Sequence, residues 1–406
     1  MSKRLIFLIT LFCSISIHSQ ENKTIISVDS VTYKYYLDGN WEQLIEIGEQ
    51  ALNQNIDFKT LRQRIGYAHF MNGDFYESRK HYEKALAFDS ADATTLLYLY
   101  YNGLNLGDGM YTNYYASKLS PETQQYLKLR PFKIVNSFDL EYNYKTGYSN
   151  RFGPTYIRMG LNSQLGYKLN LYQSISDFTQ KTDSSSINQT DYFALMSWTI
   201  DSRFLFSAGY HYINTNVLSR YSYNVYSFGS HNSIIKTKVT DSISSLFTGH
   251  LFFSKLAYTI NRFDFAVNGS VLKYDSVYTQ QYGIQAGVTL PGKANVYLKS
   301  SVYGLFDSDL NNRLIFSQSA GALFFKKLWL EGNVVLGNQN YFADNNGLYV
   351  YNSLDPTTFR AGLSLFWYLP KNITLYTNYT FDNKYVSGEN QKYNQHSITG
   401  GIIWKL

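Results

Sequence analysis

Ser207 and His211 share one face of an alternating segment, and a serine activated by a histidine would be the nucleophile of an acyl transfer. Four residues along an extended chain separate the two side chains by about 13 Å, too far for proton transfer. No Gly-x-Ser-x-Gly element and no His-x-x-x-His cluster is present. The seven histidines, His18 among them, share no ligand spacing along the chain. The single cysteine, Cys13, falls in the apolar N-terminal run, so the rest of the chain offers neither a disulfide nor a thiolate metal site. No basic helix or aromatic platform motif points to nucleic acid. The sequence therefore predicts a non-enzyme with no catalytic residues, no cofactor and no metal.

What remains is a ladder of ionisable residues spread over the C-terminal two-thirds. Asp139, Glu141, Arg158, Arg203, His211, Lys255, Asp264, Lys299, Arg360 and Asp382 all alternate with apolar neighbours, as does Lys405. Mixed signs on one face could screen a water-filled channel and contact the hydroxyls of a sugar chain, with Tyr156, Tyr297, Tyr303 and Tyr368 offering stacking faces. The same charges could instead pair with one another and fill a closed lumen.

Such a ladder needs strands to carry it. From Phe132 onward the apolar period is 2. Phe138, Leu140, Tyr142 and Tyr144 alternate with Asp139, Glu141, Asn143 and Lys145, and Phe359, Ala361, Leu363, Leu365 and Trp367 alternate with Arg360, Gly362 and Ser364. Stretches of ten or more residues with one apolar and one polar face are the transmembrane-strand pattern, longer than the five or six residues usual in soluble sheets. Composition agrees: 39 Tyr, 27 Phe and 27 Gly against 6 Pro and 16% charged residues suit a lipid-facing barrel with aromatic girdles. Very short turns at 166–168, 201–202, 261–262, 291–293, 326–327 and 370–372 alternate with longer polar loops at 147–153, 181–190, 214–246, 307–312, 339–356 and 385–394. Six short turns with both ends inside predict about fourteen strands, within a range of 12–16. Trp198, Trp329, Trp367 and Trp404 all lie near the short-turn level and are expected to form one interfacial girdle. The final alternating strand, ending Ile402-Ile403-Trp404-Lys405-Leu406, is the expected contact for barrel-assembly machinery.

The N-terminal third follows another rule. Lys3 and Arg4 precede a thirteen-residue apolar run, Leu5 to Ile17, too short to span a bilayer as a helix, and residues 1–19 are expected to be a secretory signal. Over residues 20–130 the spacing is helical and repeats. Gly39, Gly73 and Gly107 are each 34 apart, and Ala51 and Ala85 keep that interval. The stretch Lys59 to Asp92, with Gly66, Tyr67, Gly73, Phe75, Tyr82 and Ala85, resembles a tetratricopeptide unit, although Ser90 stands where such units carry proline. Ser120, Pro121 and Glu122 predict the start of a closing helix running to about Arg130. Such a stack is either a concave docking surface for a protein or a scaffold against the barrel mouth. Residues 20–130 carry 11 basic against 14 acidic residues, whereas residues 131–406 carry 23 against 16, so the barrel segment is mildly basic.

Helical repeats (20–130) followed by a barrel (131–406) resemble the YaiO family of outer-membrane proteins and, more distantly, the exopolysaccharide export porins with periplasmic repeats. The resemblance implies an α + β membrane protein in the outer membrane of a Gram-negative bacterium, its N-terminal domain periplasmic. It implies a pore or export conduit for a glycan, with lipid and lipopolysaccharide around the barrel and a periplasmic protein on the repeats. The alternatives are a structural or adhesion barrel with a closed lumen and an outer-membrane lipid-modifying enzyme.

Overall fold

The computed structural model describes residues 24–148, 152–228, 234–290, 292, 294–308, 312–325, 327–353, 355–386 and 391–406. The expected signal, residues 1–19, lies outside them. The chain divides into two compact units, residues 1–95 and 96–406. That division falls inside a helix, whereas the change from helix to strand comes after residue 126.

Among the described residues, seven helices precede the sheet: α1 (Ile25–Leu37), α2 (Trp41–Asn53), α3 (Lys59–Met71), α4 (Phe75–Ala85), α5 (Ala93–Leu106), α6 (Gly109–Ala116) and α7 (Pro121–Tyr126). The 34-residue spacing has a local cause. Gly39, Gly73 and Gly107 each follow a helix with φ of +67°, +78° and +67°, a conformation only glycine adopts cheaply. In each case the glycine N–H reaches the carbonyl three residues back, and the next N–H reaches the one five back: Tyr36 and Tyr35, Phe70 and His69, Leu104 and Gly103. Asp74 and Asp108 then cap the following helices through Glu77 N and Tyr111 N. Ala51 and Ala85 are fully buried, and Gly66 lets α4 approach so closely that a Cβ would stand 2.9 Å from the Tyr82 ring. Val28, Leu44, Leu61, Ile65 and Ala68 fill the core of the first unit. The closing helix starts at the expected cap, Ser120, but is only six residues long.

Fourteen antiparallel strands close into a barrel: β1 (Phe132–Lys145), β2 (Thr155–Leu165), β3 (Leu169–Lys181), β4 (Ser185–Thr199), β5 (Phe204–Phe228), β6 (Ile234–Ile260), β7 (Phe263–Tyr274), β8 (Val277–Thr289), β9 (Tyr297–Asp307), β10 (Arg313–Phe324), β11 (Leu328–Leu336), β14 (Thr357–Leu369), β15 (Ile373–Tyr385) and β16 (Lys392–Lys405). Each strand pairs with its sequence neighbours, and β1 seals the sheet against β16 from Ser137↔Lys405 to Lys145↔Ser397. Closure pairs the edge amides that an open sheet would expose to hydrocarbon. The outward face carries a band of exposed Phe138, Ile157, Ile175, Phe252, Val267, Ile284, Val302, Leu363 and Ile398, an area of apolar surface that lipid covers and water would not tolerate.

Two expected loops are largely strand. Residues 181–190 turn within three residues, because the Thr182 hydroxyl accepts from Ser184 N and Ser185 N and returns the chain at once. Residues 214–246 are mostly a two-stranded ribbon: the β5–β6 ladder continues to Phe228↔Ile234, whereas β4 leaves β5 after Ser219 and β6 pairs with β7 only from Gly249. With water on both faces, side chains there need no apolar alternation, so polarity concealed the strand.

Candidate functional site

The interior of the barrel is not empty. The connection between β11 and β14, expected as a polar outer loop at 339–356, folds into the lumen. It contains β12 (Ala343–Asp344) and β13 (Tyr349–Val350), a two-residue ladder closed by a 3-10 turn at Asn345–Gly347. Apolar side chains anchor it. Phe342 is 1% exposed and packs with the inward-facing Leu305, Ile315 and Val335, while Ala343 sits among Ile213, Leu251, Phe253 and Leu272. These inward residues break the polar rule of the lumen, and they do so where the segment lies.

Polar side chains from nine strands complete the attachment. The Gln281 amide pairs with Ala343 as a neighbouring strand would, donating to its carbonyl at 2.9 Å and accepting from its N–H at 3.0 Å. His211 Nδ1 donates to the Gly347 carbonyl at 2.8 Å, Arg313 to Asn340 O at 2.8 Å and Lys255 to Asn346 Oδ1 at 3.5 Å. Tyr349 OH donates to Glu141 at 3.0 Å and Asn352 Nδ2 to Gln189 at 2.9 Å. The Arg360 guanidinium lies 4.1 Å above the Tyr351 ring. Lys384 Nζ donates to the Asp355 carbonyl at 3.1 Å, and Tyr393 OH to its carboxylate at 2.8 Å. A Cβ on Gly347, whose φ is +84°, would stand 2.8 Å from Leu251, so the turn is fitted closely against the wall.

Ion pairs also stand on the walls. Arg158 donates to Asp139 at 2.7 Å and Glu141 at 3.2 Å and also bonds Tyr172 OH, while Tyr376 OH donates to Glu141 at 2.6 Å. Arg360 grips Asp382 with two bonds of 2.7 and 3.0 Å. These partners face each other across paired strands, Glu141↔Arg158 and Arg360↔Asp382, so register alone brings them together.

The ladder residues are thus distributed as follows. Asp139, Glu141, Arg158, His211, Arg360 and Asp382 are buried on the inner wall. Lys255 and Lys299 line a cavity of about 930 Å³ in the lumen. Asp264 is an exposed strand residue accepting from Thr259 at 2.7 Å. Arg203 lies in the turn before β5, and Lys405 is exposed at the last strand residue. Of the tryptophans, Trp198, Trp367 and Trp404 are half-exposed on the outward face. Trp329 requires a correction. It pairs with Phe366, shares the inward parity of Glu331 and Asn333, and stacks on Tyr297 at 5.7 Å, so it faces the lumen. It lies at the turn level but in the opposite direction, a distinction that proximity to a turn does not carry.

Sequence reasoning missed the inward segment. A signal was present: Tyr341-Phe342-Ala343 and Leu348-Tyr349-Val350-Tyr351 are apolar clusters inside a connection otherwise rich in Asn and Asp.

No family model matches the chain, and no curated protein sequence matches it. Among solved structures, the chain is similar to a bacterial polysaccharide outer membrane secretin (10% identity, 68% of this chain and 100% of that one, TM-score 0.39). It is also similar to the Pseudomonas putida toluene transporter TodX (8%, 67% and 89%, TM-score 0.45). A third is the KdgM porin in complex with disordered oligogalacturonate (10%, 66% and 99%, TM-score 0.32). At these values the similarity says nothing about what passes through the barrel.

Proposed function

We propose that this chain is a gated outer-membrane conduit of YaiO type. The segment between β11 and β14 holds the lumen shut, the helical repeats receive a periplasmic protein, and a glycan passes when the segment leaves. One observation carries the reading: a connection between two strands, not side chains of the wall alone, occupies the lumen. Its polar attachments are the paired bonds of Gln281 to Ala343, other separate hydrogen bonds and one cation–π contact, each bond or contact worth about 0.5–3 kcal/mol and individually replaceable by water. The cavity that remains is lined by tyrosines and charges of both signs, which suits a hydroxyl-rich polymer better than an apolar one.

Planar-bilayer recordings test this. A variant in which residues 340–352 are replaced by a short Gly/Ser linker should conduct steadily where the intact chain is silent or opens rarely. Soluble oligosaccharides should block that current more strongly than alkanes or aromatic hydrocarbons of similar size. A linker variant that folds but stays silent would leave the closed structural barrel as the better account. A pull-down from periplasmic extract with the full chain tests the repeats: a partner lost on deleting residues 24–95 is expected, and identical captures would contradict docking.

A further inference from the structure

Sequence spacing gives no reason to group Glu49, His69 and His81, which stand 20 and 12 residues apart. The fold of the first compact unit does. They come from α2, α3 and α4, and one donor atom from each lies within 4.8 Å of the others. The two imidazole rings are nearly parallel, 5.5 Å apart. His81 is 1% exposed, and its Nε2 stands 3.0 Å from the Glu49 carboxylate without forming a hydrogen bond to it. A buried ring nitrogen that faces a carboxylate and a second imidazole, out of line for a hydrogen bond to the carboxylate at 3.0 Å, points into the space these three side chains share. Glu49 is half-exposed, which leaves a path for entry from solvent.

We propose that Glu49, His69 and His81 form a binding site for a divalent transition-metal ion of the zinc class. Two imidazoles and one carboxylate are a borderline donor set that favours Zn²⁺ and its neighbours over Mg²⁺ or Ca²⁺, which take mainly oxygen ligands. Metal–ligand distances of about 2.0–2.2 Å require donors about 3.3–3.5 Å apart in a tetrahedron. The Glu49–His81 pair, at 3.0 Å, therefore opens by a few tenths of an ångström, and the wider separations, 4.8 Å at most, close by up to about 1.5 Å, which side-chain rotation supplies. A solvent molecule completes the four positions. The Asp74 carboxylate, 3.8 Å from His69 Nδ1, stands where it can hold the far side of a ligating ring. The Arg62 guanidinium lies 3.4 Å from His81 Nδ1 and is held by Asp57 through its other nitrogens at 2.8 and 2.7 Å. Coordination at Nε2 moves the ring proton to Nδ1, and that long Arg62 contact is given up. An ion here ties three helices together, so its presence sets the rigidity of this unit.

The test uses the full chain, without an affinity tag, in detergent micelles after EDTA treatment. Titration with Co²⁺ should give visible d–d absorption that saturates at one ion per chain and is displaced by Zn²⁺ but not by Mg²⁺ or Ca²⁺. Thermal unfolding of the helical signal should move upward with Zn²⁺. Glu49→Gln, at a half-exposed position that tolerates the change, should weaken Co²⁺ binding at least ~10-fold, the smallest loss expected even for a residue behind the ligands. His69→Gln should do the same, and folding of both variants is checked by circular dichroism. The proposal is overturned if no stoichiometric ion binds, if Mg²⁺ competes equally, or if both variants bind Co²⁺ as the parent does.

Discussion

Replacing Phe342 with alanine should open the barrel. In the closed state this ring is buried against Leu305, Ile315 and Val335. In any open state position 342 is in water whether it carries phenylalanine or alanine. The cost of truncation therefore falls almost wholly on the closed state. Phe→Ala at a buried site costs about 3–5 kcal/mol, and every 1.4 kcal/mol is about tenfold in an equilibrium. The ratio of open to closed barrels should rise by about a hundred-fold to several thousand-fold. Single-channel recording reads this directly as opening frequency, with the barrel shown to be intact by its heat-modifiable migration on gels. Phe342→Leu, which keeps most of the apolar volume, should shift the ratio far less. An F342A barrel that is folded yet opens no more often than the parent would show that the anchor contributes nothing to closure.

Other expectations follow from single contacts. Gln281→Ala leaves the Ala343 N–H and carbonyl without their partner, at about 1–3 kcal/mol for each buried group, so opening frequency should again rise at least tenfold. In variants that retain one tryptophan each, a lipid-borne quencher should reach Trp198, Trp367 and Trp404 but spare Trp329; equal quenching would contradict its inward placement. Arg158→Ala strands Asp139 and Glu141 on the inner wall and should cost about 3–5 kcal/mol in denaturant unfolding, with part recovered by adding Asp139→Asn and Glu141→Gln. Burial holds the His81 imidazole down to about 3, against about 6.5 when unfolded, so the unfolded helices take the proton first. Stability of the EDTA-treated helical unit should fall as pH drops from about 6.5 towards 3 and gain nothing from this group above 6.5. A His81→Gln variant with the same acid slope would contradict that assignment.

Much of the architecture was legible because the two periods are physical. Gly39, Gly73 and Gly107 marked three turns that demand positive φ, and the Phe138–Asp139–Leu140–Glu141 alternation marked a two-faced sheet. Closure followed from counting short turns, since a lipid-bathed sheet cannot leave an edge unpaired. The failures share a cause: each concerns where a segment goes once it leaves the pattern. Residues 214–246 lack alternation because the ribbon has no buried face. The 339–356 connection reads as a polar outer loop because Asn and Asp are frequent in it, although Phe342 and Tyr349–Tyr351 need burial somewhere. Trp329 shows that height along the barrel and direction through its wall are separate facts. The Glu49, His69 and His81 grouping was invisible because three helices, not one spacing, create it.

Gating by the β11–β14 connection requires that this segment be folded inside the lumen. Hydrogen–deuterium exchange on the intact chain in lipid nanodiscs measures this most directly. Ala343 N–H bonds to Gln281, and Tyr341 N and Tyr351 N bond to the Tyr351 and Phe342 carbonyls at 2.8 and 3.0 Å. These amides should exchange slowly, at rates nearer those of the barrel strands than of the exposed turns, and F342A should release all three together. Exchange at the speed of an unstructured loop in the parent chain would contradict the account.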